Sequence, residues 1–136
     1  MGAVKVTEMD HIVLRVMDMD RMLDFYTGIL GIPGARVDDF RAGKVGFPSI
    51  RISPDTLIDL QPGKESLGDN EKPRNLDHSC LVVEPIDMAQ LATDLSAKGV
   101  TVVGQPASRW GAHGRGNSLY ILDPEGNQIE LRCYEA

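Results

Sequence analysis

Two octapeptides constrain this chain more than anything else in it. Met9-Asp10-His11-Ile12-Val13-Leu14-Arg15-Val16 has a counterpart sixty-seven residues later in Leu76-Asp77-His78-Ser79-Cys80-Leu81-Val82-Val83, and in both an Asp-His pair leads a strand-like run. A repeat at this period predicts two modules built on one plan. It also places two histidines at the same phase of that plan. Alternation along the first copy puts Met9, His11, Val13 and Arg15 on one face and Asp10, Ile12, Leu14 and Val16 on the other.

The elements that follow each copy match. After the first, Asp18 or Asp20 can cap a helix whose apolar residues Met22, Leu23, Tyr26, Ile29 and Leu30 recur at helical spacing, with Gly31 as its stop. Ile32-Pro33-Gly34 reads as a turn, and strands are predicted over Ala35–Phe40, Lys44–Ile52 and Thr56–Gln61. Residues 62–75, rich in Gly, Pro, Asp and Asn, read as a linker. The second copy leads to a helix opened by Asp87, with Met88, Leu91, Ala92 and Leu95 on one face and Gly99 at its end, then a strand near Val100–Val103. Asn117–Leu122 and Gln128–Cys133 form a hairpin across Asp123-Pro124-Glu125-Gly126-Asn127, and Gly104–Gly116, with Trp110 and His113, reads as a mobile loop bordering a site. The order is βαβββ twice: an α+β chain with module 1 over about 7–61 and module 2 over about 76–134.

Composition narrows the partners. At 136 residues and 42% hydrophobic, the chain suffices for one domain with a sizeable core. A net charge of −6 without any basic run argues against nucleic acid, and no apolar run is long enough to span a bilayer. The start of the chain lacks a charged region leading into an apolar one, so the expectation is a cytoplasmic protein acting on a small molecule. Cys80 and Cys133 lie in strand-like runs outside any CxxC pair, which predicts buried reduced thiols.

Four residues stand in equivalent places of the two modules: His11 and His78 in the first strands, Asp59 and Glu130 in the last, within Leu57-Ile58-Asp59-Leu60 and Gln128-Ile129-Glu130-Leu131. Two imidazoles with one or two carboxylates suit Fe, Mn, Zn, Ni or Co as divalent ions, with coordination positions left for substrate. Asp59 is shorter than Glu by one methylene; it is either a further ligand or a general base, and Gln61, two residues on, is the substitute ligand.

Asp10–Val16, the helix string Leu23-Asp24-Phe25-Tyr26-Thr27-Gly28-Ile29-Leu30-Gly31, and Ser118–Leu131 with its Asp-Pro-Glu-Gly-Asn hairpin together resemble the vicinal oxygen chelate superfamily. Its members include glyoxalase I, fosfomycin-resistance thiol transferases, extradiol dioxygenases and bleomycin-resistance proteins. The resemblance implies two tandem βαβββ modules forming an open mixed β-barrel around one divalent metal, commonly in homodimers. By that resemblance His11, His78 and Glu130 match the metal ligands, and Asp59 falls where glyoxalase I carries an extra Glu. Arg15 is placed as the arginine that pairs with a glutathione carboxylate in glyoxalase I. Ser118 and Tyr120 match a serine and tyrosine of the fosfomycin enzymes, within the similar segment His113-Gly114-Arg115-Gly116-Asn117-Ser118-Leu119-Tyr120. Tyr120 also stands where extradiol dioxygenases place a tyrosine.

The implied chemistry is a metal that holds two adjacent substrate oxygens and stabilises the enolate or catecholate as charge develops. Tyr120 and Asp59 are the expected catalytic groups, and Arg15, Arg115, Ser118 and His113 the expected substrate contacts. The reaction would be that of an isomerase or lyase, a thiol transferase or a ring-cleaving dioxygenase. The alternative is a metal-free binding protein of the bleomycin-resistance type, which would hold its ligand by aromatic contacts; this chain has only seven aromatic residues but keeps the ligand set.

Overall fold

A computed structural model describes residues 2–63, 75–122 and 127–134. The chain divides into two compact units, Ile12–Asp77 and Met1–His11 with His78–Ala136, so the first strand, β1 (Val6–Val16), contributes to both.

In the 12–77 unit β1 leads into α1 (Met19–Leu23), whose first turn is capped by Asp18 accepting from the Arg21 amide at 3.2 Å. The helix continues as a wider π-helical stretch over Asp24–Ile29, with the Leu30 amide donating to the Phe25 carbonyl at 3.0 Å. Gly31, at φ +72°, ends it where the sequence places the stop. Three strands follow, β2 (Gly34–Ala35), β3 (Ser49–Arg51) and β4 (Leu57–Pro62), with α2 (Val37–Arg41) between the first two. The order is β2-β3-β4-β1, antiparallel from β2 to β3 (Gly34↔Ile50) and from β3 to β4 (Ser49↔Asp59). Val16, Leu23, Ile50 and Leu60 form its core.

Two strand expectations are corrected here. Only Gly34–Ala35 of the 35–40 run is extended, because Arg36 adopts φ +60° and starts a helix instead. Asp38 and Asp39 fall in that helix's first turn, where the backbone N–H groups favour negative charge, and Val37 packs on the core. Of Lys44–Ile52 only Ser49–Arg51 is strand; Gly43 turns the chain at φ +75°, the Lys44 amide bonds back to the Asp39 carbonyl at 2.8 Å, and Pro48 supplies no donor. The expected linker lies mostly outside the described residues, as does most of the Asp123–Asn127 turn.

The other unit contains the first half of β1, then β5 (Leu76–Val83) from His78 on, α3 (Met88–Ala97), β6 (Thr101–Gly111), β7 (Gly114–Leu122) and β8 (Gln128–Cys133). Their order is β1-β5-β8-β7-β6, parallel between β5 and β8 and antiparallel from β8 to β6. Asp87 caps α3 by accepting from the Gln90 amide at 3.1 Å, and Gly99, at φ +85°, closes it. The helix buries Met88, Leu91 and Leu95 against Val83, Leu119, Leu131 and Cys133. Seven such side chains withdrawn from water contribute on the order of 10 kcal/mol before the entropy of ordering is set against them.

The expected mobile loop 104–116 is instead mostly strand. Ala107↔Ser118 through Gly111↔Gly114 are paired, and the chain turns at Ala112-His113. The glycines belong to this ladder: Gly104, at φ +70°, lies in the register shift between Val103 and Ala107, and Gly114, at φ +94°, completes the hairpin. Turn-forming residues inside a long hairpin look the same in sequence as a loop.

Candidate metal centre

The parallel register of β5 on β8 sets Cys80 beside Glu130, and the antiparallel register of β7 sets Tyr120 beside the same residue. Side chains on one face of neighbouring strands therefore converge. His78 Nε2 lies 3.0 Å from Glu130 Oε1, and His11 Nε2, on β1, lies 3.4 Å from the same oxygen. All three residues are buried, and their donor atoms lie within 4.8 Å of one another. The two imidazoles meet edge to face at 5.6 Å, and the Tyr120 ring meets His78 in the same way at 5.2 Å.

The donor set fits a first-row divalent ion. Such ions take imidazole nitrogen and carboxylate oxygen at about 2.0–2.2 Å, so adjacent donors in an open coordination shell stand about 3 Å apart. The separations of 3.0 and 3.4 Å from Oε1 match that spacing. Glu130 Oε2 faces away from the histidines; it accepts from Ser118 Oγ at 2.7 Å and Arg132 Nε at 3.2 Å. One carboxylate oxygen is thus offered to the histidines while the other is tied down.

Behind the triad is a closed ionic network. Arg132, with no solvent exposure, donates through Nη2 to the carbonyls of Arg109 (3.0 Å) and Trp110 (3.3 Å) and through Nη1 to the Tyr134 hydroxyl (2.8 Å). Tyr134 in turn donates to Asp10 Oδ1. Asp10 Oδ2 accepts from the Ala112 amide at 2.9 Å and lies 2.6 Å from His11 Nδ1. An ionised Asp10 makes Nδ1 the donor, which turns Nε2 of His11 toward Glu130.

Electrostatics follow from these contacts. Burial opposes charging of Glu130, but hydrogen bonds from His11 and His78 and the charges of His11 and Arg132 outweigh it and hold the carboxyl far below its ordinary range. Burial likewise opposes protonation of His11, yet Asp10, Cys80 and Glu130 together push it up to about 12. Asp10 is lowered in spite of burial by bonds to His11, Tyr134 and the Ala112 amide and by Arg132. Burial, aided by the charge of Glu130, raises the Tyr120 phenol, so it remains a proton donor. Burial raises the Cys80 thiol to about 12.

The other residues singled out by sequence are placed as follows. Ser118, expected at the substrate, is buried and bonded to Glu130. Arg115 lies on the odd-numbered face of β7, which carries Leu119 and Ile121 into the helix-covered core; its Nη1 donates to the Ser108 carbonyl at 3.4 Å. His113, at the hairpin tip, meets the Tyr134 ring edge to face and stands 3.3 Å from Glu8. Within the 12–77 unit, Asp59 is buried and accepts from Ser49 Oγ at 2.5 Å, and Arg15 pairs with Asp77 at 2.9 Å. Gln61 is half-buried in β4. The sequence reading missed Asp10, Arg132 and Tyr134 as parts of the centre. Arg132 gave one signal: a second charge in the strand-like run Ile129-Glu130-Leu131-Arg132-Cys133, on the same face as Glu130.

The elements are those of an α+β fold built on a mixed sheet. The profile of the Glyoxalase/Bleomycin resistance protein/Dioxygenase superfamily matches residues 8–131, and the chain belongs to that superfamily. A glyoxalase domain-containing protein, RDO1, of Mycosarcoma maydis is 32% identical over 97% of this chain and 71% of its own length. A probable lactoylglutathione lyase of Synechocystis is 30% identical over 89% of this chain and 91% of its own. The Mn(II)-bound glyoxalase of Novosphingobium aromaticivorans shares the fold at a TM-score of 0.70 and 19% identity; the match covers 96% of this chain and 40% of that one. No helix among the described residues is long and apolar enough to cross a membrane.

Proposed function

We propose that this protein is a metal-dependent enzyme acting on a small molecule through two vicinal oxygens, with His11, His78 and Glu130 holding one divalent ion. The observation that carries the proposal is the convergence of both Nε2 atoms on Glu130 Oε1, at 3.0 and 3.4 Å in a buried site. A metal named in one fold relative and lyase names among the sequence relatives support it. Family membership supports the paired βαβββ barrel expected from sequence.

The ion would supply Lewis acidity to the chelated substrate oxygens, stabilising negative charge that develops on them. Ser118 and Arg132 fix Glu130 so that Oε1 faces the histidines. Asp10 holds the Nδ1 proton of His11 and keeps Nε2 as the donor to a ligand. Tyr120, kept protonated by burial, donates a hydrogen bond to the substrate oxygen that gains charge. Asp59, read from sequence as a further ligand or a general base, has its carboxylate held by Ser49 within the 12–77 unit.

The test is metal content of protein purified without chelator, beside His78→Ala and Glu130→Gln. About one divalent ion per chain, lost in both variants, is the expected result. Iron would favour ring cleavage, and nickel, zinc or manganese an isomerase, lyase or thiol transfer. A wild-type chain that stays metal-free after reconstitution would instead make it a binding protein.

A further inference from the structure

The strand register that assembles the triad also puts a cation beside it. Arg109 on β6 pairs with Gly116 on β7, and Ala107 pairs with Ser118, so Arg109 shares the pleat face of Ser118 and Tyr120. Its guanidinium lies 4.8 Å over the Tyr120 ring, and that ring stands edge-on to His78 at 5.2 Å. The Arg109 carbonyl accepts from Arg132 Nη2 at 3.0 Å, so its backbone is anchored by the same buried guanidinium that holds Glu130. Position and anchor tie this cation to the metal triad.

We propose that Arg109 is the substrate-recognition residue of the centre and that it selects vicinal-oxygen substrates bearing a carboxylate. The inference rests on the metal reading above and deepens it. A guanidinium over a ring face keeps N–H groups available, and two of them match the two oxygens of a carboxylate. Arg109 is exposed, and no carboxylate pairs with it among the described residues. The other arginines proposed for this task are otherwise engaged: Arg15 pairs with Asp77, and Arg115 lies on the opposite face of β7. The ring of Tyr120 thus separates two functions, a chelating centre at His78 and an anion clamp at Arg109.

The experiment uses the cobalt(II)-loaded full chain and hydroxamates, which chelate through two adjacent oxygens. Acetohydroxamate is compared with malono-, succino- and glutaromonohydroxamate, which add a carboxylate on tethers of increasing length. Binding is followed by the cobalt absorption spectrum. At least one carboxylated chelator is expected to bind up to about fivefold more tightly than acetohydroxamate, the advantage of one ion pair at an exposed site. Arg109→Gln should abolish that preference while leaving cobalt and acetohydroxamate affinities within about twofold, Arg109→Lys should restore it in part, and Arg115→Gln should retain it. Cobalt bound at one per chain with no preference in the wild type, or a preference that survives Arg109→Gln, would overturn the role of Arg109 and leave the metal reading standing. Failure of the wild type to bind cobalt would overturn both.

Discussion

Arg132 Nη2 stands 3.1 Å from Glu130 Oε2 on the same face of β8, and both side chains are closed to solvent. The same guanidinium reaches Tyr134, Ser118 and two main-chain carbonyls, so one arginine ties a candidate ligand to β6, β7 and the end of the chain.

Removing one member of a buried pair leaves the other charged and unsolvated. Arg132→Met should therefore destabilise the protein by about 3–5 kcal/mol, read as a lowered urea midpoint at unchanged slope. Loss below about 1 kcal/mol would mean that water or another cation replaces the guanidinium.

Gly111 bears on the same network from the backbone. A Cβ there would meet Arg132 Nη1 at 1.7 Å and Asp10 Oδ2 at 2.5 Å, neither of which can move without breaking its other bonds. Gly111→Ala should cost about 1–3 kcal/mol or more and weaken metal binding with it. Wild-type unfolding and affinity in this variant would show that the network yields.

Asp10 orients His11 through Nδ1. Asp10→Asn keeps the shape but removes the charge that fixes the tautomer, so the affinity for a divalent ion should fall about 10- to 100-fold by titration against a competing chelator. An unchanged affinity would assign Asp10 to the ion pair with Arg132 alone.

The pH dependence of the metal-free protein has a definite sign. His11 is raised from 6.5 to about 12, so its stabilising interactions are complete below 6.5 and are lost as pH rises toward 12, at no more than about 1.4 kcal/mol per pH unit. Glu130 is lowered from 4.5, so its contribution is present above 4.5 and lost as pH falls. Chelator-treated protein should be most stable between about 4.5 and 6.5 by urea denaturation across pH. A ligated His11 must be deprotonated, so added metal should stabilise more as pH rises. Metal-free stability that increases from pH 6.5 to 9 would contradict this assignment.

The thiols offer a check on packing. Cys80 and Cys133 are free and buried, and Cys80 has its thiol pushed up to about 12 by burial. Both should resist a disulfide reagent in the folded chain and react fully in denaturant. A folded chain that gives up a thiol within seconds would mean that this part of the sheet opens readily.

The sequence by itself determined the repeated Asp-His strands, the two capped helices, the β7–β8 hairpin, and the identity of His11, His78 and Glu130 as the candidate triad. These were legible because local periodicity, caps and a repeat are properties of neighbouring residues. Tertiary structure decided what depends on register: that β5 runs parallel to β8, that both imidazoles meet at Glu130 Oε1, that 104–116 is a hairpin, and that Arg36 turns a strand pattern into a helix. It also decided that Arg132, Asp10 and Tyr134 close behind the site and that Arg109, instead of Arg115, shares its face. Asp10 and Tyr134 are 124 positions apart in the chain, and no local pattern carries the partner of a buried charge; pairing across strands selects it, and burial makes it obligatory.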